Sequence, residues 1–274
     1  MTLSSGTTMT ASKAFDEIAE IYDASFTNSA TGSAQRKAVW KEIDRTFTAG
    51  QRVLEINCGT GVDALHLAAR GVHVTACDSA PRMIAVARQR ADRAATSATV
   101  NFRVLANERI GTLQCEGPFE GVFSNFSGLN CVPDLSLLGD DLAQLLNERG
   151  RMVLCLFGRL CVWEVFWYLS RGNIRKAVRR FMPGGRSAAL SAAAETPLWY
   201  HSVRKLKKTF ASHFRLLGWR GVGVTVPPSY LDFLAASYPH LFRLASEIDP
   251  WLGDCPGFRA MADHMLLTFE RTST

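Results

Sequence analysis

RVLEINCGTGVDALHLAARGVHVTACD, residues 52–78, divides into a strand, a glycine turn, a helix, a second strand and an acidic tip. Val53, Leu54 and Ile56 form a short apolar run suited to a strand buried on both faces of a parallel sheet. The run stops at Gly59-Thr60-Gly61. Two glycines permit a sharp turn and let the backbone approach a ligand, while the helix that follows points its free N–H groups at the same spot. Val62, Leu65, His66, Ala68 and Ala69 carry a helical period that Gly71 ends. Val72, Val74 and Ala76 alternate into the second strand, with Asp78 at its tip. Asp78 lies seventeen positions after Gly61, close to the roughly 20 at which an acidic side chain meets a ribose in nucleotide-binding βαβ units.

This stretch resembles the first motif and second-strand acid of the class I S-adenosylmethionine-dependent methyltransferases. The family pattern E/D-x-G-x-G-x-G stands here as Glu55-Ile56-Asn57-Cys58-Gly59-Thr60-Gly61, with Asn57 in place of the first glycine. Gly59-x-Gly61-x-x-Ala64 also satisfies the dinucleotide fingerprint. Glu55 inside the first strand, the long segment ahead of it and the form of the chain's ending favour the methyltransferase. The resemblance implies an α/β, Rossmann-like fold with a seven-stranded, mostly parallel sheet and an antiparallel terminal hairpin. It also implies S-adenosyl-L-methionine as cofactor, held by Glu55, Asn57, Gly59, Thr60, Gly61 and Asp78.

Further positions carry the resemblance outward. Residues 13–26, KAFDEIAEIYDASF, place Phe15, Ile18, Ala19 and Tyr22 at helical spacing with Ser12 as the expected cap. The segment is similar to one that small-molecule methyltransferases fold over the cofactor, which implies that Tyr22 borders both cofactor and substrate; the alternative is that Phe15 and Tyr22 only pack the helix down. Ser79 and Met83 match positions that flank adenosine in the family. Leu105-Ala106-Asn107 stands where the family often has Gly-Asp-Ala, leaving Asn107 or Glu108 to reach the adenine. Asn125-Phe126-Ser127-Gly128 occupies the fourth-strand motif, where Asn125 and Phe126 would meet the cofactor. DNA amino-methyltransferases have N/D-P-P-Y/F at that point, so its absence argues against methylation of a nucleobase amine.

The 274 residues suit one α/β domain with sizeable insertions. Residues 1–12 are small and polar and read as a disordered leader rather than a signal peptide, which predicts a cytoplasmic protein. The domain then spans residues 13–274, with helical insertions at about 159–198 and 227–262 forming a lid. Seven cysteines show no metal-site spacing, so reduced thiols and no metal are expected. The net charge of +6 would suit an anionic partner.

A helix is expected over residues 133–147, a strand over 152–157, a mobile loop over 182–197, a helix over 202–213 and a strand over 214–226 with a bulge near 218–223. The added segment over residues 160–181 carries Trp163, Phe166, Trp167 and Tyr168 at one end and arginines at the other. It can roof an apolar substrate pocket, lie peripherally on an anionic membrane or form a homodimer face; an aromatic core with a solvated basic end is the bland alternative. Together with the aromatics of the second insertion it points to an apolar or aromatic small-molecule acceptor methylated on oxygen or carbon. His201, just outside the sheet, is the candidate general base, against a capping or surface role, and Tyr22 is the other candidate catalytic residue. An enzyme of the same fold that binds the cofactor without transferring methyl is the second reading. Nucleic-acid binding ranks lower, because the basic runs lack interleaved aromatics.

Overall fold

The computed structural model describes residues 3–94, 99–182, 184–189 and 195–273. Two helices, α1 (Leu3–Tyr22) and α2 (Ala30–Thr46), precede the sheet. Strands and helices then alternate: β1 (Arg52–Ile56), α3 (Val62–Ala69), β2 (His73–Asp78), α4 (Pro81–Arg93), β3 (Val100–Val104), β4 (Phe119–Ser124), α5 (Ser136–Leu145) and β5 (Leu146–Phe157). The first insertion holds α6 (Val162–Leu169), α7 (Ile174–Ala177), β6 (Arg186–Ala189) and β7 (Glu195–Leu198). After α8 (Val203–Thr209) and β8 (Phe214–Val222) comes the second insertion, with α9 (Phe233–Ser237) and α10 (Pro239–Asp254), and β9 (His264–Arg271) closes the sheet.

The seven strands lie in the order β3-β2-β1-β4-β5-β9-β8. β1 runs parallel to β2 and β4, β4 parallel to β5, and β9 antiparallel to both β5 and β8. This is the expected Rossmann-like sheet with its terminal hairpin. Alternation sends Leu54, Val122, Leu154 and Leu267 to one face, against Leu142 of α5 and Phe210 beyond α8. Val53, Val74, Phe123 and Val153 face the other way, onto Val39 and Ile43 of α2, Leu67 of α3 and Ile84 of α4. Strands buried on both faces explain why β1 reads as an apolar run interrupted only by the buried Glu55. Both insertions leave the sheet at one edge, since Phe157 at the end of β5 and Val222 at the end of β8 each pair with His264.

Four expectations are corrected. The first helix begins at Leu3, not after a Ser12 cap, so the expected leader is helical from that point. Ser12 instead donates its hydroxyl to the Ser79 carbonyl at 2.8 Å, and Ala11 is buried against Cys131 and Leu198. Residues 1–2 of the leader lie outside the described residues. β5 starts at Leu146, inside the expected helix, because Leu146 pairs with Phe119 and Asn147 Nδ2 donates to Glu120 Oε1 at 3.0 Å. The polar run Asn147-Glu148-Arg149-Gly150 hides this start, and the register slips between Phe119 and Gly121. The expected loop over 182–197 contains the β6–β7 ladder, which pairs Arg186 with Leu198; residues 183 and 190–194 lie outside the described residues. The bulge in β8 falls between Leu216 and Gly218, at the near end of the expected range.

Gly61, the N-cap of α3, has φ of +74°, and a Cβ there would stand 2.8 Å from both Ala87 Cβ and the Phe102 ring. Left-handed backbone and tight packing thus both select glycine. Gly61→Ala should lose about 2–4 kcal/mol of stability by chemical denaturation with an unchanged m-value. A loss below about 0.5 kcal/mol would mean that the turn relaxes freely.

Candidate active site

The carboxyl ends of β1, β2 and β4 open into a cleft of about 770 Å³, the solvent at its mouth included. Asn57, Gly59 and Thr60 at the end of β1, Asp78 and Ser79 at the end of β2, Met83 of α4, Asn107, and Asn125 and Phe126 after β4 all line it. Asn57 holds φ of +58°, which explains why the family's first glycine can be an asparagine: among residues with a side chain, Asn adopts this region at least cost. Gly128 complements it, since a Cβ at Gly128 would collide with the Asn57 side chain. Asp78 stitches the turn to β2, accepting from the Gly59 N–H through Oδ2 and from the Ala80 N–H through Oδ1, each at 2.9 Å. Burial raises its carboxyl pKa, and these two donors oppose the rise.

The entry helix forms the opposite wall with Ala11, Phe15 and Tyr22. A π-helical turn, Asp23–Thr27, follows it and aims Asp23 at the glycine turn. Asp23 Oδ1 accepts from the Thr60 hydroxyl at 2.8 Å, its other oxygen pairs with Arg90, and Arg90 Nε donates to the Thr60 carbonyl at 3.1 Å. The cleft is thereby clasped from helix to turn. Tyr22 packs on Phe26, Phe26 on Phe126 and Phe126 edge-on to His264, with centroids 5.7, 5.0 and 5.4 Å apart. Burial pushes the Tyr22 phenol up to about 12.

Two charged lining residues had no part in the reading of the sequence. Arg36 of α2 pairs with Asp63 in the first turn of α3, and Asp63 also accepts from Trp40 Nε1 at 2.6 Å and Asn125 Nδ2 at 2.9 Å. The Arg36 guanidinium lies 4.7 Å from the Phe126 centroid, and its Nε is buried without a partner. Asp63 could have been found as an acid in the first helical turn after Gly59-Thr60-Gly61. Arg36 leaves no local signal, because only the fold brings α2 to the cleft.

Three sequence-derived site residues do not line the cleft. Glu55 is buried in β1 beneath it; Oε2 lacks a partner and burial drives the carboxyl pKa well up. Gly61 lies behind the turn against α4. His201 is 2% exposed, with Nε2 at 3.2 Å from the Val132 carbonyl, and burial pushes its pKa down to about 4. Asn130 holds this connection: its carbonyl accepts from the Trp199 N–H and its Nδ2 donates to the Trp199 carbonyl, both at 2.7 Å. The histidine that approaches the cleft is His264, packed between Phe126 and Phe157 with Nδ1 at 3.4 Å from Asp263 Oδ2.

A nucleotide-type glycine turn, a second-strand carboxylate and a helix closing the cleft at the carboxyl edge of a β3-β2-β1-β4-β5-β9-β8 sheet define a class. Residues 53–150 match a family described as a methyltransferase domain, which makes that part of the chain a class I S-adenosylmethionine-dependent methyltransferase domain. Its relatives include a ubiquinone biosynthesis O-methyltransferase of Xylella fastidiosa, 35% identical over 42% of this chain and 45% of that protein. A demethylmenaquinone methyltransferase of Clavibacter sepedonicus is 32% identical over 52% and 56%, respectively. The chain thus spans about half the length of the curated relatives it matches. Among solved structures, an S-adenosylmethionine-dependent methyltransferase from Listeria monocytogenes aligns with TM-score 0.58 and 17% identity over 86% of this chain and 99% of that one. The [4+2]-cyclase SpnF aligns with TM-score 0.65 and 15% identity over 98% of both chains, which extends the shared fold through both insertions.

Burial pushes His264 down to about 4, with Asp263 opposing the shift and Arg180 adding to it. An unfolded histidine binds its proton near 6.5. From about 6.5 down to about 4 the unfolded chain therefore holds the extra proton, and stability falls with pH. Denaturation at about pH 7 and about pH 4.5 should show the advantage of wild type over His264→Gln shrinking on acidification by on the order of 2 kcal/mol. A pH-independent difference would mean that His264 is not held neutral.

Proposed function

We propose that the chain transfers the methyl group of S-adenosylmethionine to an oxygen or carbon atom of a small, largely apolar or aromatic acceptor. One observation carries this reading: a single cleft sets polar Asn57, Thr60, Asp78 and Asn107 against Phe15, Phe126, Cys131 and Val132. The residues fit the family's cofactor. A Cβ at Gly59 would meet no atom within 4 Å, which leaves the turn backbone open to a ligand. Asp78 spends one lone pair per oxygen on backbone N–H groups and keeps others for ribose hydroxyls. Ser79 and Met83 would flank the adenosine, and Asn107 would serve its base. Arg36, a buried cation with an unpaired Nε, suits the amino-acid carboxylate, with Tyr22, Asn125 and Phe126 around that end. Glu55 and Gly61 act from behind the turn.

The bound cofactor supplies a methyl group already activated on sulfur, so the protein's task is alignment and exclusion of water. Tyr22 lines the cleft, and with its phenol held near 12 it shapes and hydrogen-bonds rather than removing a proton. His201 is a structural residue on this reading, not the base. Residues 13–274 act as one domain, the two insertions covering the acceptor end. The relatives named for ubiquinone biosynthesis and demethylmenaquinone support a small-molecule acceptor.

Calorimetry should detect binding of S-adenosylmethionine and S-adenosylhomocysteine, weakened roughly 10- to 100-fold in Asp78→Ala. Binding of NAD alone would overturn the cofactor assignment. With radiolabelled cofactor and a cell extract, label should enter the organic-solvent fraction; label in the macromolecular precipitate would refute the acceptor class. Cofactor binding with no labelled product would favour an enzyme of this fold catalysing another reaction. His201→Asn should keep kcat within about threefold, against the 10²–10⁴-fold loss expected of a general base.

A further inference from the structure

The first insertion presents an apolar tip ringed by one sign of charge. Phe166 and Leu169, three apart on α6, are 74% and 49% exposed, and Ile174, opening α7, is 66% exposed. Arg171, Arg175 and Lys176 stand exposed beside them. The Arg171 guanidinium lies 3.3 Å from the Trp167 ring centroid, and Lys176 Nζ lies 5.5 Å from that of Tyr168, so both cations ride on the aromatics behind the tip. The one acid in residues 159–186 is Glu164, which is buried and accepts from Arg179 and Arg180. No negative side chain of this segment offsets the exposed cations.

The tip is held rigidly. Arg180, 4% exposed, donates to Glu164 Oε2 at 2.8 Å, to Asp263 Oδ1 at 2.7 Å and to the carbonyls of Gly158 and Asp263. Trp163 Nε1 donates to the Val224 carbonyl at 3.1 Å. The segment is thereby fixed to the carboxyl edge of the sheet, where the cleft opens.

We infer that residues 160–181 dock on an anionic lipid bilayer surface, Phe166, Leu169 and Ile174 entering the headgroup layer while Arg171, Arg175 and Lys176 meet lipid phosphates. Apolar side chains that enter the interface beside cations are the two contributions such binding needs. A second copy fits less well, because a two-fold interface would set this cationic face against itself. The exposed row Leu241, Leu244, Ile248 and Trp251 on α10 has no such bias, since Arg243, Glu247 and Asp254 mix both signs along that helix. No helix among the described residues is long and apolar enough to cross a membrane, so the contact is peripheral. It would let an apolar acceptor pass from the bilayer to the cleft, a consequence that rests on the proposed function, whereas docking itself does not.

Vesicle co-sedimentation of the full chain tests this without cofactor or acceptor. The protein should bind vesicles of phosphatidylcholine mixed with phosphatidylglycerol, bind phosphatidylcholine alone weakly, and be released by salt. Arg175→Glu with Lys176→Glu should lower partitioning roughly thirtyfold, and Phe166→Ser with Leu169→Ser roughly tenfold or more. All four side chains are exposed, and unchanged cofactor calorimetry would confirm that each double variant folds. No binding to the anionic vesicles, equal binding to neutral ones, or binding indifferent to both variants would overturn the inference. So would a wild-type dimer in sedimentation that the Phe166 and Leu169 changes dissociate, which would make this face a subunit interface. Failure of wild type to bind S-adenosylmethionine would instead strike the proposed function and leave the vesicle result standing.

Discussion

Asn57, Gly59 and Gly61 hold φ of 58°, 53° and 74°, and the cleft exists because the chain can turn that tightly at the end of β1. A right-handed residue at any of the three would carry the backbone elsewhere. The turn is also locked from outside: Gly128 leaves room for Asn57, Ala87 and Phe102 close over Gly61, and Asp78 accepts from the Gly59 N–H. β1, β2, α4 and the segment after β4 thus meet at one five-residue bend. The cofactor-type wall follows from a backbone constraint before any side-chain chemistry is considered.

A second constraint fixes the covering elements. Glu164, Arg180 and Asp263 form a buried ionic junction between the first insertion and the start of β9. Burying such charges costs several kcal/mol per ion unless geometry and hydrogen bonds compensate. Here Arg180 serves two carboxylates and two carbonyls, a geometry that apolar residues could match in energy but not in direction. The junction's worth is therefore positional. It aims α6 and α7 outward at the carboxyl edge and sets Asp263, and with it His264, behind Phe126.

What the sequence made legible was local. The glycine turn, Asp78, Ser79 and Met83 could be placed because each is fixed by spacing along one βαβα unit. Arg36 and the Asp263–His264 pair could not, since they reach the site through contacts 27 and 83 positions away in sequence, Arg36 to Asp63 and Arg180 to Asp263. β6 was missed because Ser and Ala carry little strand preference and β7 because Pro197 argues against a strand, and their pairing alone makes them strands. His201 shows the opposite failure. Its position just outside the sheet was foreseen, but the Asn130–Trp199 bonds that turn the connection inward were invisible.

The same geometry bears on how the proposed transfer would be assisted. Rings run in contact from Phe15 through Tyr22, Phe26, Phe126, His264 and Phe157 to Tyr200, no centroid step exceeding 6.5 Å. Two buried guanidinium groups lie on this arc, Arg36 on Phe126 and Arg180 on Phe157 and Tyr200. Burial, with Arg180 adding to it and Asp263 opposing, keeps His264 unprotonated at neutral pH. On the proposed function, an arc of this kind would exclude water from the acceptor end and strengthen each electrostatic contact inside it. The fold would therefore supply desolvation and alignment through residues drawn from α1, α2, β5, β9 and the segments that connect the elements. A neutral His264 stands at the centre of the arc, the one ring in it that carries nitrogen, and its surroundings hold that ring in the unprotonated form at neutral pH.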